Sequence, residues 1–353
     1  MNRLLLVLVM VMAMAVVRGN SQTNFSLSGK VINSKTKEPV PFATIFFAST
    51  MLGTTSKNDG SYRIENIPSG KFDLIASSVG YKKFSTSLLF SDSSLHFNFS
   101  LAEDITTLKE VVVRPNRSDF KKYYHTFEKH FLGFTPNSSH CSIINQDAIN
   151  LEFNKEENAL HAYATEPIQV ENKALGYVIY YWLEEFEINY KKGFSKFYGI
   201  PRFEELKANK KSQQTRWLRK RDKAYYGSLS HFMRSLLSRD LRKNEFLIYR
   251  VSKSGKEHQI QEESLFLAHN EDRILIEDKL KIVFEGQSED RNYSRFYKGF
   301  QTSTIISGPA PITIYNNGHF EDLKSVFLDG YLGYRECLSN LVPLGYQPSL
   351  PIK

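Results

Sequence analysis

The string Tyr225-Tyr226-Gly227-Ser228-Leu229-Ser230-His231-Phe232 is the part of this chain best equipped for chemistry. It gathers phenols, hydroxyls and an imidazole. A helix starting at Ser228 would aim unpaired N–H groups at an anion or a sugar hydroxyl. Tyr225, Tyr226, Ser228 and His231 therefore form a candidate pocket. The competing reading is architectural and is preferred. Gly227 breaks one helix, Ser228 caps the next, and His231 falls in its first turn. On that reading Ser228→Ala costs stability. A His231 ring at the surface would make His231→Ala nearly neutral.

Other combinations are weaker. His125-Thr126-Phe127-Glu128 with His231 far downstream has the residue types of a catalytic zinc site, where two imidazoles and a carboxylate leave one position for water. His-x-x-Glu is common by chance, and a helix flank is the expected setting. The chain has no His-Glu-x-x-His, no Gly-x-Ser-x-Gly elbow and no Gly-rich phosphate loop. Glu184, Glu185 and Glu187 are the nearest thing to a glycosidase carboxylate pair. Their place on a long strand reads as a solvated face. Cys141 and Cys337 lie outside any Cys-x-x-Cys pair and read as two buried thiols rather than a bridge. No catalytic, metal or cofactor residue is assigned, and no cofactor is expected.

These residues sit on legible elements. Phe120, Tyr123, Tyr124, Phe127 and Phe131 have helical spacing, with Gly133 as a stop. Strands follow at Ala148 to Phe153, Leu160 to Ala164 and Tyr177 to Tyr190, the last apolar at first and then alternating. Phe194 to Phe203 continues, with Gly199-Ile200-Pro201 as a break. Lys210 to Ser238 turns helical and basic, with Phe232, Leu236 and Leu237 as an apolar stripe. Shorter strands are expected near Phe246 to Val251, Ile274 to Ile276, Leu280 to Phe284 and Ser303 to Ile306.

Phe25 to Leu101 differs. Short strands alternate with turn signals, as in Phe25–Val31, Thr44–Phe47, Tyr62–Ile64, Phe72–Ala76 and Leu95–Leu101. Asn58-Asp59-Gly60 is a hairpin turn rather than a calcium loop, because the distal carboxylates are missing. The pattern Gly29-Lys30-Val31-Ile32, Glu38-Pro39-Val40-Pro41-Phe42-Ala43-Thr44-Ile45, Asn58-Asp59-Gly60-Ser61-Tyr62, Ile67-Pro68-Ser69-Gly70 and Ser78-Val79-Gly80-Tyr81-Lys82-Lys83 resembles the carboxypeptidase regulatory-like domain. That resemblance implies a transthyretin-like β-sandwich of the Bacteroidota type, a scaffold rather than a catalyst. Leu108 to Val113 is similar to the segment after such modules in TonB-dependent outer-membrane receptors. About 240 residues remain after it, too few for a plug and a large barrel. It reads as a last strand leading into Arg114-Pro115-Asn116-Arg117. Phe131-Leu132-Gly133, Cys141 to Asn145, Asn172 to Tyr177 and Ala224 to Phe232 are similar to segments of Bacteroidota proteins carrying the same module in front. That likeness implies no activity.

Arg3 and the apolar run Leu4 to Val17 read as a secretory leader, since the run is shorter than the roughly 20 residues a span needs. Small residues at Gly19 and Ser21 place the cut before Gln22. The 353 residues carry 46 basic and 38 acidic side chains, a net charge of +8. That balance suits anionic envelope polymers or lipid headgroups, and in an exported chain no nucleic acid is expected. The expected organisation is a leader at 1–21, a β-sandwich at 22–103, a linker at 104–117 and an α+β domain at 118–353. The overall class is read as α+β. The expected role is an exported, non-catalytic binding or scaffold protein of the envelope, in the periplasm or at the outer membrane, with an envelope protein or polymer as partner. No transmembrane segment is expected in the mature chain. The alternative is a hydrolase acting on envelope peptide or glycan.

Overall fold

The computed structural model describes residues 24–104, 117–294, 299–321 and 326–349. The expected leader and the Leu108–Val113 strand lie outside the described residues.

The N-terminal sandwich is present. One sheet joins Ser61–Ile67, Phe25–Asn33 and Leu95–His96, with Phe99–Leu101 also on Phe25–Asn33. The other runs Gly53–Thr55, Thr44–Phe47, Gly70–Ser77, Phe84–Phe90. Period-two alternation drives Leu27, Val31, Phe72, Leu74 and Phe99 into the space between the sheets. Gly29 is required by close approach, since a Cβ there would overlap the Phe97 carbonyl. The Asn58–Gly60 turn is closed by Lys57 N–H donating to the Ser61 carbonyl at 2.9 Å, with Gly60 at φ +75°.

The rest of the chain has two cores. The first lies on a six-stranded antiparallel sheet in the order Ile149–Asn154, Ala159–Ala164, Tyr177–Asn189, Ile168–Asn172, Cys141–Ile143, with Phe194–Glu205 also paired to Tyr177–Asn189. Helix α1, Arg117–Leu132, lays Phe127 and Phe131 on this sheet. A register shift between Leu183 and Glu185 marks where the long strand changes from apolar to alternating. The second core lies on Glu257–Gln259, Phe246–Val251, Lys279–Ser288, Phe300–Ser307 and Val326–Gly330. Helix α2, Lys211–Tyr225, packs on the first core through Ala224, and Arg221 bonds the carbonyls of Leu175 and Gly176. Helix α3, Leu229–Leu237, packs on the second through Phe232, Met233 and Leu236. A short helix, α4, Tyr331–Arg335, follows the last strand.

Strand outweighs helix, so the described chain is mostly β with several sheets, and the α+β expectation gave helix too much weight. Helices lie where the spacing at Phe120–Phe131 and Lys210–Ser238 predicts them, while α4 was not expected, and all of them flank the sheets. The strand Val326–Gly330 was not anticipated. Among the described residues no helix is long and apolar enough to cross a membrane.

The sandwich is fused to the larger body through the outer face of its second sheet. Phe46 and Ile75 point away from the sandwich core, yet both are 0% exposed. Phe46 stacks on Trp182 of the six-stranded sheet at 4.4 Å. Lys83 pairs with Glu184 and Lys71 with Glu321 across the same boundary. The turn at Ser49, with φ +61°, is held by backbone bonds on two sides. Ser49 N–H donates to Pro201 O at 2.6 Å and Phe203 N–H to Thr50 O at 2.9 Å, while Leu344 N–H donates to Ser49 O at 2.6 Å. Trp182→Ala removes the aromatic half of this seam while leaving the sandwich core intact. We expect a loss of about 1–2 kcal/mol. Limited proteolysis should then cut the 48–52 turn faster than in the parent. An unchanged cutting rate would show that the seam does not rest on this stack.

Candidate functional site

The Tyr225–Phe232 string is the hinge between the two cores. Tyr226 leaves α2 in an extended conformation, Gly227 turns at φ +77°, and Ser228 begins α3. The Ser228 hydroxyl accepts a hydrogen bond from His231 N–H at 3.2 Å, which is the expected cap. Ser228→Ala should cost about 1 kcal/mol, read from a thermal or urea melt.

His231 is not at the surface, which corrects the expectation of a near-neutral substitution there. It is 3% exposed. Its Nδ1 accepts from Gly227 N–H at 3.1 Å, leaving Nε2, 3.4 Å from Asn244 Oδ1, to carry the proton. Phe246, Tyr225, Tyr226 and Phe284 surround the ring at centroid distances of 4.9, 5.1, 5.2 and 5.8 Å. Burial lowers its pKa to about 4, opposed by the Asn244 bond and aided by Arg335 and Arg234. Tyr225 is buried beside Tyr346 and under the Arg234 guanidinium, while Tyr226 is half-buried. The four candidate residues are brought together, with Ser228 and His231 engaged in internal bonds.

Sequence reasoning missed what lies beneath the hinge. Arg335 of α4 is 4% exposed and donates to the carbonyls of Tyr226 at 2.8 Å and Ala224 at 2.7 Å, and to Gln301 Oε1 at 2.8 Å. Leu229 N–H, in the first turn of α3, donates to Glu336 Oε1 at 2.8 Å. Burial raises the Glu336 pKa, with the Arg335 charge opposing. A charged pair at the end of an otherwise aromatic and aliphatic segment was the available signal.

The other constellations disperse. His125 and Glu128 stand 3.7 Å apart on α1, with His125 exposed, while His231 lies in the second core with Nδ1 already occupied. Among the described residues no group of three or more His, Cys, Asp or Glu side chains is arranged to hold a metal ion. Glu185 and Glu187 share Lys196 at 2.6 and 3.2 Å, and Glu184 belongs to the seam. Cys141 and Cys337 are free thiols, Cys337 buried and Cys141 half-buried. Burial pushes Cys141 up to about 12, and Cys337 nearby adds to the shift.

Three concavities stand out. A cavity of 180 Å³ lies on the seam, where Ser49 and Asp73 of the sandwich face Phe203, Ser230, His319 and Glu336. His319 is 9% exposed, and burial lowers its pKa, with Asp73 opposing. Two grooves flank α2. One, of 380 Å³, is lined by His140, Lys173, Lys207, Arg216 and Lys220. The other, of 480 Å³, is lined by Lys220, Lys223, Asp290, Tyr331 and Arg335. Lys220 belongs to both.

Residues 27–113 match the CarboxypepD_reg-like domain family, in agreement with the resemblance read from the sequence. No curated protein matches the chain. Among solved structures, the 5-hydroxyisourate hydrolase of Klebsiella pneumoniae is 16% identical, with 23% of this chain and 91% of that chain covered and a TM-score of 0.20. A DUF3823 family protein of Bacteroides ovatus is 10% identical over 53% of this chain and 83% of its own, with a TM-score of 0.20. The 3-chlorocatechol 1,2-dioxygenase of Rhodococcus opacus is 10% identical over 24% of this chain, with a TM-score of 0.21. The match spans 62% of that enzyme's length.

Proposed function

We propose that this chain is an exported, non-catalytic binding or scaffold protein of the bacterial envelope. The observation that supports this reading most is the seam. A regulatory-like sandwich on a flexible tether would keep its outer sheet face in water. Here that face is covered, and the Ser49 turn is bonded to both the Phe194–Glu205 strand and the tail at Leu344. Sandwich and body present one continuous surface, as a scaffold requires. The Tyr225–His231 string fits the same reading, because Ser228 and His231 serve the hinge.

The seam cavity favours a second reading, hydrolysis of envelope peptide or glycan. Asp73, His319, Glu336 and Ser230 line it, and a neutral imidazole beside carboxyl groups has the chemistry of general acid–base catalysis. The two readings separate in one experiment. The full mature protein is incubated with purified envelope fractions, and sedimentation is followed beside release of reducing ends and free amines. Co-sedimentation without release is the expected result. Release that His319→Gln abolishes, with the fold intact by circular dichroism, would replace the scaffold reading with the hydrolase.

A further inference from the structure

Helix α2 sorts its charges by direction. Arg221 points inward to Glu205 at 2.5 Å and to the Leu175 and Gly176 carbonyls. Asp222 also points inward, accepting from the Tyr346 hydroxyl at 2.7 Å and from the Ser349 N–H and hydroxyl at 3.0 and 2.8 Å. The remaining charges of the helix are all cations, at Lys211, Arg216, Arg219, Lys220 and Lys223. Among the described residues none of these five forms an ion pair, although salt bridges are common elsewhere on the surface. Residues 207–223 hold eight Lys and Arg against the lone Asp222, so seven of the chain's eight net positive charges fall in this segment.

This positive charge lies where the surface is concave. The two grooves share Lys220 as a wall, with Arg216 on one side and Lys223 on the other, so cations line both. Concave walls of low dielectric focus such a field. Burial, together with Arg216 and Lys223, destabilises the charged form of the Lys220 ammonium. The first turn of α2 also lacks an acidic residue and begins Lys210-Lys211, where the helix dipole favours an anion. An anionic occupant would relieve both.

The walls narrow the class of occupant. Asn209 and Gln213 line one groove among the cations, and Asn137 and Gln287 line the other. Side-chain amides both donate to and accept from hydroxyl groups, the polar contact that a sugar chain offers between its charges. A flat lipid surface would reach neither groove floor.

We infer that the grooves flanking α2 bind a linear polysaccharide carrying carboxylate, sulfate or phosphate groups. This rests on the binding reading above and names its ligand class.

The test uses the full mature protein and immobilised dextran sulfate, with neutral dextran, anionic phosphatidylglycerol vesicles and duplex DNA as competitors. Binding that weakens with salt, and that neutral dextran does not compete, is expected. Lys220→Gln with Lys223→Gln should weaken it about tenfold, the effect of two lost solvent-accessible ion pairs. Lys253→Gln with Lys256→Gln makes the same change in net charge on the distant 252–256 turn and should leave binding unchanged. Equal losses from both pairs would reduce the effect to general surface charge and overturn the site. Stronger competition by vesicles or DNA would overturn the ligand class. Should the first pair lower the melting temperature, Arg216→Gln with Arg219→Gln on the same exposed flank replaces it. Shortening of the polymer would defeat the non-catalytic reading while leaving the site in place. Absence of binding and of cleavage would defeat the site and leave the scaffold reading standing.

Discussion

His231→Ala should destabilise the protein by about 3 kcal/mol, far more than a surface histidine would. The ring is enclosed by Phe246, Tyr225, Tyr226 and Phe284, so its removal leaves a void that rigid aromatics fill poorly. The Gly227 N–H also loses its acceptor inside the hinge. The same ring should make stability depend on pH. Its pKa is lowered from 6.5 to about 4, so below 6.5 the unfolded chain binds the proton more readily than the folded one. The contribution is fully present above about pH 6.5, is lost progressively as pH falls towards 4, and changes no further below that. Over the window it amounts to about 3 kcal/mol. His231→Gln keeps an acceptor for Gly227 and cannot titrate. Urea melts of parent and variant at several pH values should show the parent losing stability more steeply between pH 6.5 and 4. Parallel curves would mean that the ring protonates without unfolding cost.

Arg335→Met should also cost about 3 kcal/mol, for a different reason. Removing the guanidinium relieves a buried charge, which favours the variant. It also strands the Tyr226 and Ala224 carbonyls and the Gln301 side chain, each about 1–3 kcal/mol when buried without a donor. Three stranded acceptors outweigh one relieved charge. Arg335→Lys should be no better than Met, because one ammonium cannot reproduce the planar fork that reaches all three. The two sites are coupled, since the Arg335 charge helps to lower the His231 pKa. NMR titration of the imidazole in Arg335→Met should show that pKa rising. An unmoved titration with full stability would separate Arg335 from the hinge.

The parts of this molecule written in local patterns were legible from the chain. Alternation gave the sandwich strands, helical spacing gave Phe127 and Phe131 their common face, and Gly227-Ser228 marked a helix end and a cap. These signals act over a few residues. The burial of His231 does not, because Phe246 and Phe284 reach it from strands far along the chain. Nor does the division into two cores, since an apolar stripe on α3 reads the same whichever sheet it covers. Phe46 was legible within an apolar strand, but alternation puts Ile75 on the face opposite Leu74 and Ala76, and nothing local reveals that the larger body covers both. The basic run at Lys210 to Lys223 was equally plain. Its inward pairing of Arg221 and Asp222, and the grooves beside it, required the fold.

The seam at Ser49 also bears on the order in which the chain matures. Synthesis runs from the N-terminus, and domains generally fold as units as they emerge. The sandwich has its own hydrophobic core and can form early. Its outer face, however, is covered by parts of the chain made later, Trp182 against Phe46 and Leu344 N–H on the Ser49 carbonyl. Until the six-stranded sheet that carries Trp182 has formed, Phe46 stands open to water on a finished domain, an adhesive face awaiting its cover. A nascent chain arrested before residue 182 would thus combine a folded sandwich with an unsealed apolar face, a natural substrate for holdase chaperones.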